Sequence, residues 1–282
     1  MGVNQKQGPK SYSRHELTYN NYLKVEELLD LQQCKSNPAH HDETLFIIIH
    51  QAYELWFKQI LHEMASAIVA MKQRQLLQAY RVMDRVVKIL RLLVSQIHIL
   101  ETMAPADFLK FRDTLNPASG FQSIQFREIE FLAGLRDGQF LNVFKNWPEY
   151  TERLQARLDG PNLRNSFYSL LKAEGYAIPD TMTTIGPTVT DEIRSEVIAA
   201  LRTIYQNPDR ELRLYLLSES LVEFDEYLLL WRHHHRLTVE RVIGGRHGTG
   251  GSSGVKYLES TTSKRCFPLL WEVRTYLTKE DT

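Results

Sequence analysis

Two long stretches of this chain contain neither glycine nor proline. The first is the 66 residues between Pro38 and Pro105, and the second is the 35 residues from Asp209 to Ile243. Turns and short strands call on those residues at close intervals, so runs of this length fit long helices far better than loops or hairpins. Periodicity agrees. In the first run Leu45, Ile49, Ala52, Trp56, Ile60, Met64 and Ile68 recur at steps of three and four, the spacing of one helix face. The polar cluster Lys72-Gln73-Arg74-Gln75 interrupts it. That predicts two antiparallel helices, the second over about Leu76 to Thr102.

Shorter helical segments follow. Pro105-Ala106-Asp107 reads as a helix start, and Pro117 to Gly120 as a loop. Gln125 to Leu135 reads as amphipathic, and Pro148, Gly160-Pro161 and Pro208 bound further short helices. Ile178 to Val189 is rich in Thr and Pro and reads as an irregular excursion, after which Thr188 or Thr190 caps a helix starting near Asp191. No segment alternates as a strand between hairpin signals, and no internal repeat or low-complexity linker is present. The expectation is an all-α fold, one helical-bundle domain spanning residues 1–282.

Charge and cysteine content narrow the function. Lys plus Arg and Asp plus Glu both number 34, so the formal net charge is zero, a poor footing for phosphate-backbone binding. No apolar run approaches the roughly 18 residues of a membrane-spanning helix, and polar Met1 to Glu16 lacks a signal-peptide core, so a cytoplasmic protein is expected. Cys34 and Cys266 are two isolated thiols without a C-x-x-C pair, which leaves no cysteine zinc site and no covalently attached haem.

Histidines offer the next signal. Within His233-His234-His235, the residues Leu221, Phe224, Leu228, Trp231, Val239 and Val242 lie within about 40° of His235 on a helical wheel. Glu219, Glu226 and Glu240 share the side of His233, and Glu223 and Arg241 that of His234. His235 therefore faces inward and its two neighbours outward. Such a histidine is most often a hydrogen-bonded core residue, yet a neutral imidazole on a rigid helix is also what an axial iron ligand requires. His50 lies on a stripe with Phe46, Tyr53 and Phe57, and is either a packed histidine or a polar group in an aromatic pocket. His40-His41-Asp42-Glu43 lacks H-E-x-x-H spacing, and its acids suit a helix N-terminus instead. Arg112, beside Phe108 and Phe111, either pairs with an acid such as Asp113 or holds a substrate carboxylate bidentately. Six of the 14 glycines fall in Gly244 to Gly254. That segment is either a flexible surface loop or one that wraps a ligand, and it lacks the ending of a phosphate-binding P-loop.

Taken together, five segments carry a family resemblance. They are Leu17 to Leu23, Pro38 to His50, Phe111 to Ser123, Leu230 to His235, and Arg241 to Gly244 continuing through Gly248 to Gly254. In these motifs, and in their order along the chain, the sequence resembles the tryptophan 2,3-dioxygenase family. The resemblance implies an all-α fold of long helices enclosing a haem b, whose iron is held by His235 and is ferrous when active. It implies that L-tryptophan and O₂ are the substrates and N-formyl-L-kynurenine the product, by oxygen addition across the indole C2–C3 bond. His50 falls on the family's catalytic distal histidine, near the indole N–H. Arg112 falls on the clamp for the substrate carboxylate, and Thr249 and Ser119 on hydroxyls near its amino-acid end. Phe46, Ile47, Ile48, Ile49 and Phe108 fall on the pocket segment. Some bacterial members carry Tyr where this chain has Phe108, so a polar contact is absent there. Tyr19, Tyr22 and Leu23 match an N-terminal segment, residues 1–23, that enters a neighbouring subunit of a homotetramer, a dimer of dimers. The sequence leaves two rivals. One is a related haem oxygenase of another aromatic ring; the other is a helical haem sensor, which gives Arg112 and Thr249 no role.

Overall fold

In the computed structural model, residues 13, 16–184, 189–251 and 253–278 are described. Thr188, Ser252 and most of the Met1–Glu16 segment lie outside them. The Gly- and Pro-free stretches form the long elements. After two short helices, α1 (Tyr19–Leu23) and α2 (Val25–Leu29), come α3 (His41–Lys72) and α4 (Leu76–Leu100). The break falls at the polar cluster, where Arg74 takes a positive φ of 58° and donates to Glu174 at 2.7 Å. The second predicted helix thus ends two residues short of Thr102. His40 caps α3 by accepting the Asp42 N–H, and Asp42 and Glu43 occupy the first turn, where acidic side chains complement the helix dipole.

The chain continues through α5 (Pro105–Arg112), α6 (Ile124–Ala133), α7 (Phe140–Val143), α8 (Pro148–Asp159) and α9 (Leu163–Ala173). It closes with α10 (Asp180–Thr183), α11 (Asp191–Gln206), α12 (Leu212–Ile243), α13 (Val255–Glu259) and α14 (Pro268–Glu272). Among the described residues there is no strand, so the fold is all-α. Thr190 is the cap of α11, accepting the Ile193 N–H at 3.4 Å. The Ile178–Val189 excursion contains the single helical turn α10.

The frame is α4 packed along both α3 and α12. Pairs Glu63–Arg85 and Tyr53–Leu93 run in opposite directions along α3 and α4, so those two are antiparallel. Pairs Arg91–Glu223, His98–His234 and Glu101–Thr238 rise together, so α12 runs parallel to α4. The core between them is aliphatic: Val82, Met83, Val86, Leu90 and Leu93 of α4 meet Leu214, Leu217, Leu221 and Phe224 of α12 in one buried cluster. Truncating a fully buried member such as Leu93 or Leu221 to Ala is expected to cost about 2–5 kcal/mol.

One element differs from its sequence reading. The Gln125–Leu135 segment reads as amphipathic, but every residue of α6 from Phe126 to Ala133 is buried. Its charged residues are covered by partners from elsewhere. Glu128 accepts from Arg153 at 2.5 Å and Arg157 at 3.2 Å, both on α8. Glu130 accepts from Arg127 at 2.6 Å and from Arg232 of α12 at 2.7 Å. Asp225, fully buried on α12, accepts the N–H groups of Cys266, Phe267 and the Trp271 indole, and so anchors the C-terminal segment.

Candidate active site

Near the C-terminal ends of α4 and α12 lies a cavity of about 550 Å³, in the range typical of cofactor and small-molecule sites. From α3 it takes Phe46, His50, Tyr53, Glu54 and Phe57, which share a face at three- and four-residue steps. From α12 it takes Trp231, Arg232, His235, Thr238 and Val239. Phe108 and Arg112 of α5, Phe126, Arg127 and Glu130 of α6, and Ser119 and Thr249 from two loops also line it.

The two histidines enter from different helices. His50 Nδ1 lies 2.7 Å from the Phe46 carbonyl. A carbonyl only accepts, so Nδ1 carries the proton and Nε2 keeps its lone pair. Burial depresses the pKa of His50, partly offset by that carbonyl and by the charge of Glu54. His235 stacks on Trp231 one turn earlier, centroids 4.9 Å apart. Burial, with added repulsion from His50 and Arg127, pushes its pKa down to about 4. Both rings are therefore neutral near pH 7, and the lone pair of His235 is available to a metal. His233 is exposed, while His234 packs edge-on against the His98 ring at 5.0 Å, so both point away from the cavity.

Arg112 and the Gly-rich loop form the mouth. Arg112 donates to the His247 carbonyl at 2.6 Å. Its nearest carboxylate, Asp113, is 3.9 Å away and 96% exposed, a weak partner in water. Thr249 donates its hydroxyl to the Ala118 carbonyl at 2.5 Å. At Gly250 an added Cβ would meet the Ser119 Cβ at 2.6 Å, so only glycine lets the loop sit this close. Ser119 itself caps the 3₁₀ turn Gly120–Gln122. Phe46 covers His50, centroids 4.1 Å apart, and meets Phe108 at 5.6 Å.

At the back of the cavity sits a buried charged group. Glu130 holds both Arg127 and Arg232, and Arg127 also reaches the Tyr257 hydroxyl at 3.3 Å. Two guanidinium groups against one carboxylate leave a net positive charge, and the Nε atoms of both arginines are buried without a partner. Buried cations of this kind call for an anion.

The sequence model of the family described as tryptophan 2,3-dioxygenase matches residues 3–174 and 193–277. A tryptophan 2,3-dioxygenase of Caulobacter vibrioides is 45% identical over 262 residues, 93% of this chain and 99% of that protein. Another from Nocardioides sp. is 45% identical, over 93% of this chain and 95% of its own length. A third from Xanthomonas oryzae pv. oryzae is 44% identical, over 92% and 87%.

The chain belongs to the tryptophan 2,3-dioxygenase family.

In this family member the cavity brings Phe46, His50, Phe108, Arg112, Ser119, Thr249 and His235 together. It does not bring in Ile47, Ile48 or Ile49: Ile49 is buried in the core, Ile48 is 48% exposed and Ile47 is half-buried. On α3 these three fall between the cavity-lining residues of successive turns. Tyr19, Tyr22 and Leu23 sit on α1, exposed and away from their own chain's cavity. Sequence reading missed Glu54 and the Arg127–Glu130–Arg232 group. Glu54 was detectable, one helical turn after His50. The i, i+3 pair Arg127 and Glu130 looks like an ordinary solvated helix pair until α6 is seen to be buried.

Among the described residues no helix is long and apolar enough to cross a membrane, and no group of three or more His, Cys, Asp or Glu is arranged to hold a bare metal ion. An iron carried by a porphyrin needs only one protein ligand.

Proposed function

We propose that this chain is a cytoplasmic haem dioxygenase that converts L-tryptophan and O₂ to N-formyl-L-kynurenine, working as a homotetramer in which residues 1–23 of each subunit serve a neighbour's site. The observation that carries the reading is the pair of neutral imidazoles, His235 and His50, lining one cavity whose mouth holds Arg112 and Thr249. Family membership supplies the reaction.

The residues fit a haem b. His235 would hold the iron through its ring lone pair, the aromatic and aliphatic walls would enclose the porphyrin, and the unpartnered Nε atoms of Arg127 and Arg232 would receive its carboxylates. When bound, the ferrous haem supplies the chemistry that activates dioxygen.

The chain's own residues bind and orient the substrate. Arg112 presents a planar fork to the α-carboxylate, exchanging the His247 carbonyl for a charged acceptor. Thr249 and Ser119 offer hydroxyls to the carboxylate and ammonium. Phe46 and Phe108 bury the indole. His50 Nε2 accepts the indole N–H, which fixes the ring plane without removing the proton. Holding both ends of the substrate converts an encounter into a near-attack geometry, an effect that reaches about 7–11 kcal/mol in favourable cases. Both oxygen atoms enter the product as the C2–C3 bond breaks. The indole supplies the electrons, so no external reductant is consumed in the net reaction.

The test is direct. Haem-loaded protein is reduced without air, mixed with L-tryptophan and exposed to O₂, and N-formylkynurenine is identified by mass. Product carrying two labelled atoms from ¹⁸O₂ is expected. A reduced holoprotein that binds tryptophan but forms no such product would overturn the reading.

A further inference from the structure

One turn beyond His50, Glu54 extends from α3 to the loop on the far lip of the cavity. Its Oε1 accepts the Ser123 hydroxyl at 2.6 Å, and its Oε2 accepts the Gln125 amide at 2.8 Å. The same amide donates to the Glu54 carbonyl at 2.8 Å. Ser123 is also the cap of α6, its Oγ accepting the Phe126 N–H at 3.2 Å. The hydroxyl thus spends its single proton on Glu54 and a lone pair on the helix.

Ser123 closes a tight turn that Ser119 opens. Gln122 N–H donates to the Ser119 carbonyl at 2.9 Å, and Ser123 N–H to the Gly120 carbonyl at 3.1 Å. The leading side of this turn is the seat of the Gly-rich loop. The Ala118 carbonyl takes the Thr249 hydroxyl, and Gly250 lies against Ser119. That loop in turn offers the His247 carbonyl to Arg112. A continuous path of short contacts therefore joins Glu54 to the groups at the cavity mouth. No other side chain on α3 hydrogen-bonds to the 118–123 turn among the interactions of the described residues.

We propose that Glu54 is a positioning residue for the carboxylate end of the substrate: through Ser123 it fixes the turn on which the Thr249 loop is seated, and so sets affinity for the carboxylate rather than for the indole and its amine side chain. The identity of that ligand rests on the dioxygenase reading above; the mechanical link to the loop does not. The charge of Glu54 also acts on His50, so Ser123→Ala, which keeps the charge and breaks the link, is the separating variant.

The experiment uses full-length, haem-loaded enzyme as wild type, Glu54→Ala, Ser123→Ala and the double variant. Dissociation constants for L-tryptophan and for tryptamine are read from the ligand-induced change in haem absorption. Amide hydrogen exchange of residues 244–251 is followed without ligand. Each single variant is expected to weaken L-tryptophan by roughly 10-fold and tryptamine by less than about 3-fold. The double variant should be no worse than the poorer single one, because both break the same link. Exchange across 244–251 should accelerate while that of the α4 core, residues 82–93, stays unchanged. Equal weakening of both ligands, additive losses, or unchanged exchange at 244–251 would each overturn the proposal. A wild type that neither responds to tryptophan nor forms N-formylkynurenine would remove the dioxygenase reading alone, and the exchange arm would still decide whether Glu54 holds the loop.

Discussion

The Arg112 guanidinium donates to the His247 carbonyl at 2.6 Å, joining α5 to the Gly-rich loop across 135 residues of sequence. The fork already has one neutral acceptor and no strong ionic one, since Asp113 is 3.9 Å away and in water. A bound carboxylate therefore gains a charge-assisted bond without having to break a buried ion pair.

Arg112→Leu removes the fork and Arg112→Lys replaces it with a point charge of different geometry. A hydrogen bond to a charged group is worth about 1.5–3 kcal/mol, so kcat/KM for L-tryptophan should fall roughly 10- to 200-fold in the Leu variant. The Lys variant should be substantially impaired as well. Haem content should stay near wild type in both. Tryptamine, lacking the carboxylate, should be a poor substrate for wild type and lose much less. Equal proportional losses for the two compounds would assign Arg112 a different task.

His235 is separated from its two neighbours by geometry, because it alone of the three histidines lines the cavity. His235→Ala should lose tight haem binding, whereas His233→Ala and His234→Ala retain it. Haem content by absorption after purification under identical conditions checks this. A normal spectrum in purified His235→Ala is the outcome that refutes the ligand assignment.

The long helices were legible because their signals are local. Absence of Gly and Pro, a three-to-four-residue period and one polar break suffice for α3, α4 and α12. His235 was legible for the same reason, since six apolar residues on one helix define its face. What escaped the sequence depends on partners far along the chain. Arg127 and Glu130 have only the i, i+3 spacing of an ordinary helix pair, and it takes Arg232, 102 residues beyond Glu130, to make them a buried cationic group. Asp225 looks like any helix acid until the Cys266 and Phe267 N–H groups, 41 and 42 residues on, converge on it. The seating of Gly250 on Ser119 likewise joins two loops whose sequences say nothing of each other.

Glu43 supplies a pH-dependent contribution at the start of α3. Its carboxylate is fully buried and accepts the N–H groups of Lys35 at 2.6 Å and Ser36 at 3.0 Å, together with the Ser36 hydroxyl. Burial alone would raise its pKa, but these donors and His40 outweigh it and hold the value below the ordinary 4.5. The unfolded chain therefore takes up a proton before the folded one does. Stability from this group is fully present above about pH 4.5 and is lost as pH falls through the lower folded value. Glu43→Gln should lower stability near pH 7 by about 1.5–3 kcal/mol and by progressively less toward pH 3. Denaturant titrations of both proteins at several pH values measure this. A gap that is constant with pH would mean that the carboxylate charge is not what the segment uses.

The N-terminal helices present an apolar surface that their own chain leaves uncovered. Leu17, Tyr19, Tyr22, Leu28, Leu29 and Leu31 are exposed, Tyr19 to 75%. Yet α1 is well formed, with Thr18 and Asn21 exchanging capping hydrogen bonds. A capped helical turn that displays two tyrosines to water is suited to another surface, and a neighbour's cavity mouth is the one the proposed function assigns. Deleting residues 1–23 should therefore reduce the assembled mass measured by light scattering and weaken L-tryptophan binding. Burying a large side chain contributes about 1.5–3 kcal/mol, so loss of even one tyrosine contact predicts at least roughly 10-fold weaker affinity. Haem binding should persist, since His235 and every cavity-lining residue lie beyond residue 23 of the same chain. A truncated protein of unchanged mass and unchanged tryptophan affinity would show that the segment serves neither the assembly nor the site.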